Sequence, residues 1–163
     1  MAAKGPRRDD RVRVRRARPQ DAIRIRNLHV ASIRELTGSH YTPAQIAAWS
    51  AGRKPSDYLQ AMRAGLTVWV AQRGRRIAGF AAASETEIHL LYVHPRQTGL
   101  GAGSALLAEI ERTARRAGSR QLLCPASLNA VSFYRAHGYL PQGRANVHFG
   151  DTPIPYLKMR KTL

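Results

Sequence analysis

The chain has 163 residues, which suits a single domain that buries about 70% of its unfolded surface without disulfides or metals. Cys124 is its only cysteine, which excludes an intramolecular disulfide, and no 18-residue apolar run occurs. The 27 Lys and Arg against 10 Asp and Glu give a formal net charge of +17. We expect a cytoplasmic protein with no secretory signal and no membrane partner.

Much of the basic charge lies near the N-terminus, where eight basic and two acidic residues fall between Met1 and Arg18. We predict a disordered basic tail over residues 1–10 and a single domain over residues 11–163. The remaining charge is scattered and mostly arginine, which we interpret as a solvated surface that also attracts a polyanionic cofactor. No zinc-finger spacing, basic zipper or aromatic RNA-binding motif occurs, so nucleic acid is not an expected partner.

Apolar periodicity and turn residues predict a mixed α/β chain without an internal repeat. In chain order, the first elements are an edge strand with Val12 and Val14 that ends near Pro19, a helix over 21–36 closed by Gly38, short helices over 43–50 and 55–64, and a hairpin of strands 67–72 and 75–84 around Arg73-Gly74. The later elements are a strand over 87–93, a helix that ends near 117, a short strand over 121–124, a helix over 128–137, and late strands at 139–140 and 154–160, with a loop over 144–156.

The segment from Leu90 to Ser104 is the most informative stretch of the chain. An apolar strand runs into a proline turn, then a loop with Gly99, Gly101 and Gly103, then an amphipathic helix. Backbone N–H groups and the positive end of a helix dipole converge at such a junction, which predicts a phosphate site. No lysine precedes Ser104, as a Walker A loop requires, and no acidic residue lies about 20 positions on, as a dinucleotide fingerprint requires.

Two motifs at a fixed spacing carry a family resemblance. Arg96-x-x-Gly99-x-Gly101 resembles the pyrophosphate loop of the GNAT superfamily of N-acetyltransferases. Residues 127–139, with Asn129-Ala130, Phe133-Tyr134 and Gly138-Tyr139, resemble the fourth-helix motif of the same superfamily. The resemblance covers about residues 68–139 and implies a three-layer α/β fold, with helices on both faces of a central mixed, mostly antiparallel sheet of about six or seven strands. It also implies acetyl-coenzyme A as co-substrate and no metal.

The same resemblance assigns cofactor contacts. In this superfamily a central strand splays from its neighbour just before the glycine loop, and its free backbone groups bond the pantetheine arm. Asn129 is implied to bond the pantetheine or the parting strand, with a helix N-terminal cap as its alternative role. Ser132 and Arg135 are implied to contact the adenosine or the 3′-phosphate, and a solvated position is the alternative for Arg135. The main-chain contacts implied are Leu91, Tyr92 and Val93 for pantetheine, and Arg96, Gln97, Thr98, Gly99, Leu100, Gly101, Ala102, Gly103 and Ser104 for pyrophosphate.

Acyl transfer to an amine needs a base for the amine and an acid for the departing thiolate. Tyr134 is the predicted acid, because a tyrosine pKa of about 10 lies above the roughly 8.5 of a thiol. Glu87 is the predicted base, directly or through water; His89, His148 and a water chain alone stay open as alternatives. Strand alternation predicts that Glu87, His89, Leu91 and Val93 share one face and Ile88, Leu90 and Tyr92 the other.

The predicted activity is transfer of the acetyl group of acetyl-CoA to a primary amine of a small molecule or peptide, by direct attack in a ternary complex, in a bacterial-type acetyltransferase. Two alternatives remain, a non-catalytic acyl-CoA-binding or regulatory module and a ribosome- or RNA-associated protein acetyltransferase. We expect a small or weakly acidic acceptor in a pocket formed by Tyr41, Trp49 and the loop over 144–156. We interpret Cys124 as a core residue. Monomer and homodimer both stay open.

Overall fold

The computed structural model describes residues 11–163, and the predicted N-terminal tail lies outside the described residues. None of the helices in this range combines the length and the apolar composition needed to cross a bilayer. The helices are α1 (Ala22–Leu36), α2 (Pro43–Ser50), α3 (Pro55–Arg63), α4 (Ala102–Arg116) and α5 (Val131–Ala136). The strands are β1 (Val12–Arg16), β2 (Thr67–Arg73), β3 (Arg76–Ala83), β4 (Ile88–Val93), β5 (Gln121–Ser127), β6 (Leu140–Phe149) and β7 (Thr152–Thr162).

The two short helices begin at the residues that the sequence predicts. At the start of α2, the Thr42 hydroxyl accepts a hydrogen bond from the Gln45 N–H at 3.2 Å, and the Gln45 side chain accepts one from the Thr42 N–H at 2.9 Å. Before α3, the Asp57 carboxylate accepts a hydrogen bond from the Lys54 N–H at 2.8 Å. Each helix then has proline in its first turn, where the missing N–H costs nothing.

The seven strands form two antiparallel sheets, in the orders β1-β2-β3-β4 and β5-β7-β6. The family resemblance implies about six or seven strands in one central sheet, and the structure divides its seven strands between two sheets. An isolated parallel bridge joins them, between Glu87 and Leu123, where the Leu123 N–H donates to the Thr86 carbonyl at 2.9 Å. Beyond this bridge no ladder between β4 and β5 is formed in residues 11–163, so the two strands part. The inner edge of β4 is therefore open toward the site described below.

Helices cover both faces of the first sheet, as predicted. On one face, α4 places Leu106, Leu107 and Ile110 in the largest apolar cluster, where each is at most 1% exposed. Burying an aliphatic side chain of this size stabilises the fold by about 1.5–3 kcal/mol. On the other face, α1 and α3 pack Ile25, Leu28 and Tyr58 against β2 and β3. The resulting helix, sheet and helix layers fix the strand that carries the candidate site.

A β-bulge in β4 overturns the predicted alternation of its side chains. Leu90 pairs with Ala82 and Ile88 pairs with Ala83, so His89 has no partner on β3. Ile88 consequently packs in the α4 cluster together with Leu91 and Val93, on the face that the sequence assigns to its opposite neighbours. Strict alternation holds only while each residue has one partner across the ladder. The prediction for Ile88 is therefore wrong, although Leu90 and Tyr92 do share a face.

The last third of the chain contains more strand than its sequence predicts. Residues 144–156, predicted as a loop, belong to the hairpin of β6 and β7, which turns at Gly150. Side chains of β6 are mostly exposed, so it shows no apolar alternation and is held by backbone pairing with β7. Strand β5 runs past Pro125 rather than ending at residue 124, and the predicted helix over 128–137 is a 3₁₀ turn followed by α5. These predictions are corrected accordingly.

A buried histidine lies between α1 and the first sheet. The His29 side chain is fully buried, with Nδ1 2.9 Å from the Tyr58 hydroxyl and its ring 4.0 Å from that of Tyr92, centroid to centroid. Burial holds the pKa of His29 well below 6.5, because its protonated form would lose hydration and lies near the Arg53 charge. His29 is therefore a neutral core residue.

Acidification below pH 6.5 is expected to lower the free energy of unfolding because of His29. The unfolded chain binds a proton there that the folded chain does not, so stability falls by up to about 1.4 kcal/mol per pH unit below 6.5 and is fully present above it. Denaturant unfolding of the wild type and of His29→Gln, between about pH 5 and 7.5, measures this slope. Equal slopes for the two proteins would contradict the assignment.

Candidate active site

The glycine-rich loop between β4 and α4 leaves backbone N–H groups without helical partners. His94 caps the turn over Pro95–Gln97, since its Nδ1 accepts a hydrogen bond from the Arg96 N–H at 3.1 Å. Gly101, with φ of +87°, is the N-cap residue of α4 and has no side chain to cap the helix. The first N–H groups of α4 and its positive dipole end are thus available to an anion.

A cavity of about 610 Å³, called here the loop cavity, opens along this loop. Eleven of the predicted cofactor residues line it: Leu91, Tyr92, Val93, Gln97, Thr98, Gly99, Gly101, Ala102, Gly103, Ser104 and Asn129. Ser32, Leu36 and Thr37, at the end of α1, also line the cavity and were not among the predicted residues. No local signal marks these three residues, because only the packing of α1 against β4 brings them to the loop.

Four predicted cofactor residues lie away from the wall of the loop cavity. Arg96 lines a separate cavity of about 550 Å³ with Arg24, Arg75 and Arg76. The Leu100 side chain is 50% exposed, and its carbonyl accepts a hydrogen bond from Arg73 at 2.5 Å. Ser132 and Arg135 are exposed on α5. The structure therefore does not bring these four residues into the lining of the loop cavity.

Two side chains that line the loop cavity have a buried oxygen without a hydrogen-bond donor in residues 11–163. Gln97 Oε1 and Asn129 Oδ1 are buried and accept no hydrogen bond from residues 11–163. Buried oxygens of this kind are costly unless a ligand or water supplies an N–H or O–H. Close packing continues at Gly103, where an added Cβ would lie 3.3 Å from the Phe133 ring. The lining of the loop cavity thus offers hydrogen-bond donors from the loop backbone and acceptors from the Gln97 and Asn129 side chains.

A second cavity, of about 360 Å³ and called here the aromatic cavity, adjoins the first. Both are lined by Leu91, Tyr92, Ser127 and Ala130, which lie where β4 and β5 part. Tyr41 and Trp49 line the aromatic cavity as predicted, and the region 144–156 contributes Val147, Phe149, Ile154 and Tyr156 from its two strands. The two cavities therefore meet at the open edge of β4.

Tyr41 fixes one wall of the aromatic cavity. Its hydroxyl donates to the Pro155 carbonyl at 2.7 Å and accepts a hydrogen bond from the Leu128 N–H at 2.9 Å. Its ring contacts that of Trp49 edge to face at 5.2 Å. Burial raises the pKa of Tyr41 above 10, so its hydroxyl keeps its proton at neutral pH. These contacts join the segment before α2 to β7 and to the 3₁₀ turn before α5.

The predicted acid and base both line the aromatic cavity. Tyr134 is 5% exposed, and burial followed by the nearby Cys124 raises the pKa of its phenol well above 10. Glu87 is half-buried and His89 exposed along the same cavity, whereas His148 lies outside its lining. Burial raises the pKa of the Cys124 thiol to about 12, which keeps this sulfur protonated. In the described part of the chain, no three His, Cys, Asp or Glu residues form a group able to hold a metal ion.

Comparisons with known proteins place this geometry in a family. A model of the acetyltransferase (GNAT) domain matches residues 37–163. The uncharacterized N-acetyltransferase YafP of Escherichia coli (strain K12) is 28% identical over 128 residues, which cover 78% of this chain and 81% of YafP.

Solved structures have the same architecture. The GCN5-related N-acetyltransferase from Rhodopseudomonas palustris is 30% identical, with a TM-score of 0.87 over 93% of this chain and 95% of its own. The PaiA N-acetyltransferase from Thermoplasma acidophilum, solved in complex with coenzyme A, is 19% identical with a TM-score of 0.77, over 94% of this chain and 99% of its own, and so shares the fold. The predicted resemblance is confirmed, and the chain belongs to the GNAT family of acetyltransferases.

Proposed function

We propose that the protein transfers the acetyl group of acetyl-CoA to a primary amine by direct attack in a ternary complex. The observation that carries this proposal is the meeting of two cavities at Leu91, Tyr92, Ser127 and Ala130. One cavity offers phosphate-binding backbone and the other offers titratable side chains, so a thioester and an amine can approach each other at the parting of β4 and β5.

The residues of the loop cavity fit coenzyme A. The N–H groups from Thr98 to Ser104 suit its diphosphate, and the Asn129 and Gln97 oxygens suit the amide N–H groups of pantetheine. The open edge of β4 at residues 91–93 supplies further backbone partners for the same arm. Arg135 and Ser132, exposed on α5, would contact the adenosine or the 3′-phosphate. Acetyl-CoA, when bound, supplies an activated acyl group, and the protein holds that group in position for the amine.

Two side chains complete the proton transfers in this proposal. Glu87 accepts the proton of the attacking amine, directly or through a water molecule, and a β4 backbone N–H stabilises the developing oxyanion. Tyr134 donates its proton to the sulfur as the carbon–sulfur bond breaks and the amide forms. Its raised pKa keeps the phenol protonated for that step. No acetyl-enzyme is proposed, because Cys124 is buried with a raised pKa.

The test combines binding and turnover. Calorimetry with coenzyme A is expected to detect binding, and free-thiol release from acetyl-CoA is expected to rise with at least one member of a panel of amines, amino acids, antibiotics and peptides. Coenzyme A binding without thiol release for any acceptor would favour a non-catalytic acyl-CoA module. Steeply salt-dependent RNA binding that survives excess coenzyme A would favour the RNA-associated acetyltransferase. No binding of coenzyme A would overturn the whole proposal.

A further inference from the structure

Among residues 11–163, Arg53 is the one Lys or Arg side chain that lines the aromatic cavity, and no sequence motif marks it. Arg53 lies between α2 and α3 and is half-buried. Its guanidinium carbon lies 5.1 Å from the centroid of the Phe149 ring, and its Nε donates to the Trp49 carbonyl at 3.3 Å. The Arg53 carbonyl in turn accepts a hydrogen bond from Arg26 Nε at 3.1 Å. Arg53 is therefore held by hydrogen bonds at its backbone carbonyl and its Nε, and by contact of its guanidinium with the Phe149 ring.

The two terminal nitrogens of Arg53 are not used by this arrangement. Across residues 11–163, Arg53 forms no ion pair, and its only side-chain hydrogen bond is the one from Nε. The nearby Asp57 carboxylate is engaged with the Lys54 N–H. A planar guanidinium with two free, parallel N–H donors binds a carboxylate in a bidentate manner. Stacking on Phe149 holds this fork in place before a ligand arrives.

Arg53 and Glu87 line the same cavity, and in the described part of the chain they form no ion pair with each other. Glu87 lies at the bridge between the two sheets, whereas Arg53 stacks on the last residue of β6. Tyr41, Trp49 and Tyr92 are among the aromatic side chains along the same cavity. A cavity of about 360 Å³ lies near the lower end of the range for small-molecule sites, so its size suits one compact ligand.

We propose that the acceptor is a compact amine that carries a carboxylate and an apolar or aromatic body, with its carboxylate bound by Arg53 and its amine directed to Glu87 and Tyr134. This inference rests on the proposed acetyl transfer and specifies its acceptor. Arg53 acts as a specificity-determining residue, because it contacts the part of the acceptor that does not react. The aromatic walls bind the body, and the guanidinium selects amines that carry a carboxylate over amines of similar size that lack one.

Matched acceptor pairs test the inference. Phenylalanine is compared with phenethylamine, and 4-(aminomethyl)benzoate with 4-methylbenzylamine, in the thiol-release assay with acetyl-CoA. The carboxylate-bearing member of at least one pair is expected to have a kcat/KM about 10- to 100-fold higher, the range that a charge-assisted hydrogen-bond pair provides. Arg53→Met, which keeps an apolar side chain beside Phe149, is expected to abolish that preference, measured as the ratio of kcat/KM between the two members of a pair.

Two further variants control for charge and for folding. Arg34→Met removes an equal charge from α1 outside both cavities, and it is expected to keep the preference. Arg53→Lys keeps the charge without the fork and is expected to be intermediate. Coenzyme A calorimetry on every variant reports whether the protein is folded.

The outcomes separate this inference from the proposed function. Thiol release with equal kcat/KM for the members with and without a carboxylate would overturn the inference and leave the acetyl transfer standing. Equal loss for both members in Arg53→Met would overturn it as well. Coenzyme A binding with no thiol release for any amine would overturn the proposed function itself.

Discussion

Tyr134→Phe is expected to lower kcat by about 100- to 10,000-fold while leaving the Kd for coenzyme A within about twofold. The phenol lies in the aromatic cavity beside the parting strands, and its loss removes the proton donor for the thiolate without touching the glycine-rich loop. Because burial raises the pKa of Tyr134 well above 10, wild-type kcat should show no loss from its ionisation up to about pH 10. Thiol-release kinetics and calorimetry on the same preparation measure both quantities.

Tyr139→Phe is the matched control for this substitution. Tyr139 is also fully buried, but its hydroxyl donates to Glu111 at 3.3 Å and lines neither cavity. Removing that hydroxyl is expected to lower stability by about 1 kcal/mol and to leave kcat unchanged. If Tyr134→Phe retained kcat within about threefold, Tyr134 would not be the acid, and a water chain would have to deliver the proton.

Gly101→Ala is expected to weaken coenzyme A binding by about 100-fold or more. Gly101 lines the loop cavity, and a Cβ built there meets no protein atom within 4 Å, so the added methyl group would occupy open space beside the expected diphosphate. Displacing the phosphates by a methyl group weakens several charge-assisted bonds, each worth about 1.5–3 kcal/mol. Titration calorimetry with coenzyme A measures the loss.

Gly118→Ala separates this effect from backbone strain. Gly118 follows the end of α4 with φ of +85°, close to the +87° of Gly101 at its start, and its Cβ also meets nothing within 4 Å. Both substitutions carry the same left-handed cost of about 1–2 kcal/mol, but Gly118 lines neither cavity. Unchanged coenzyme A affinity in Gly101→Ala, or equal losses in the two variants, would contradict a diphosphate site at this loop.

The fold could be predicted where local rules agree with tertiary packing. Thr42, Pro43 and Gln45 specify the start of α2 through contacts within one turn, so the predicted helix of residues 43–50 coincides with the observed one. The amphipathic helix after the glycine loop is buried on its apolar stripe, as its period requires. The glycine spacing likewise predicted the loop, because positive φ at Gly99 and Gly101 is a local requirement.

The features that could not be predicted from the sequence depend on contacts between segments that are distant along the chain. The β4 bulge arises from pairing with Ala82 and Ala83, and nothing near His89 in the sequence marks it. Strand β6 is stabilised by β7 rather than by its own side chains, which is why residues 144–156 read as a loop. Arg53 is one arginine among many, and only the Phe149 ring and the Trp49 carbonyl distinguish it.

The parting of β4 from β5 leaves a sheet unfinished inside the molecule. Exposed strand edges usually invite pairing with other chains, whereas this one lies along the loop cavity. Under the proposed function, the extended, amide-bearing arm of coenzyme A would pair with this edge as an added strand does. We therefore expect deuterium uptake at the amides of residues 91–93 and across the facing end of β5 to slow on coenzyme A binding. Hydrogen bonds between the bound ligand and these strands would make local opening of the backbone less frequent.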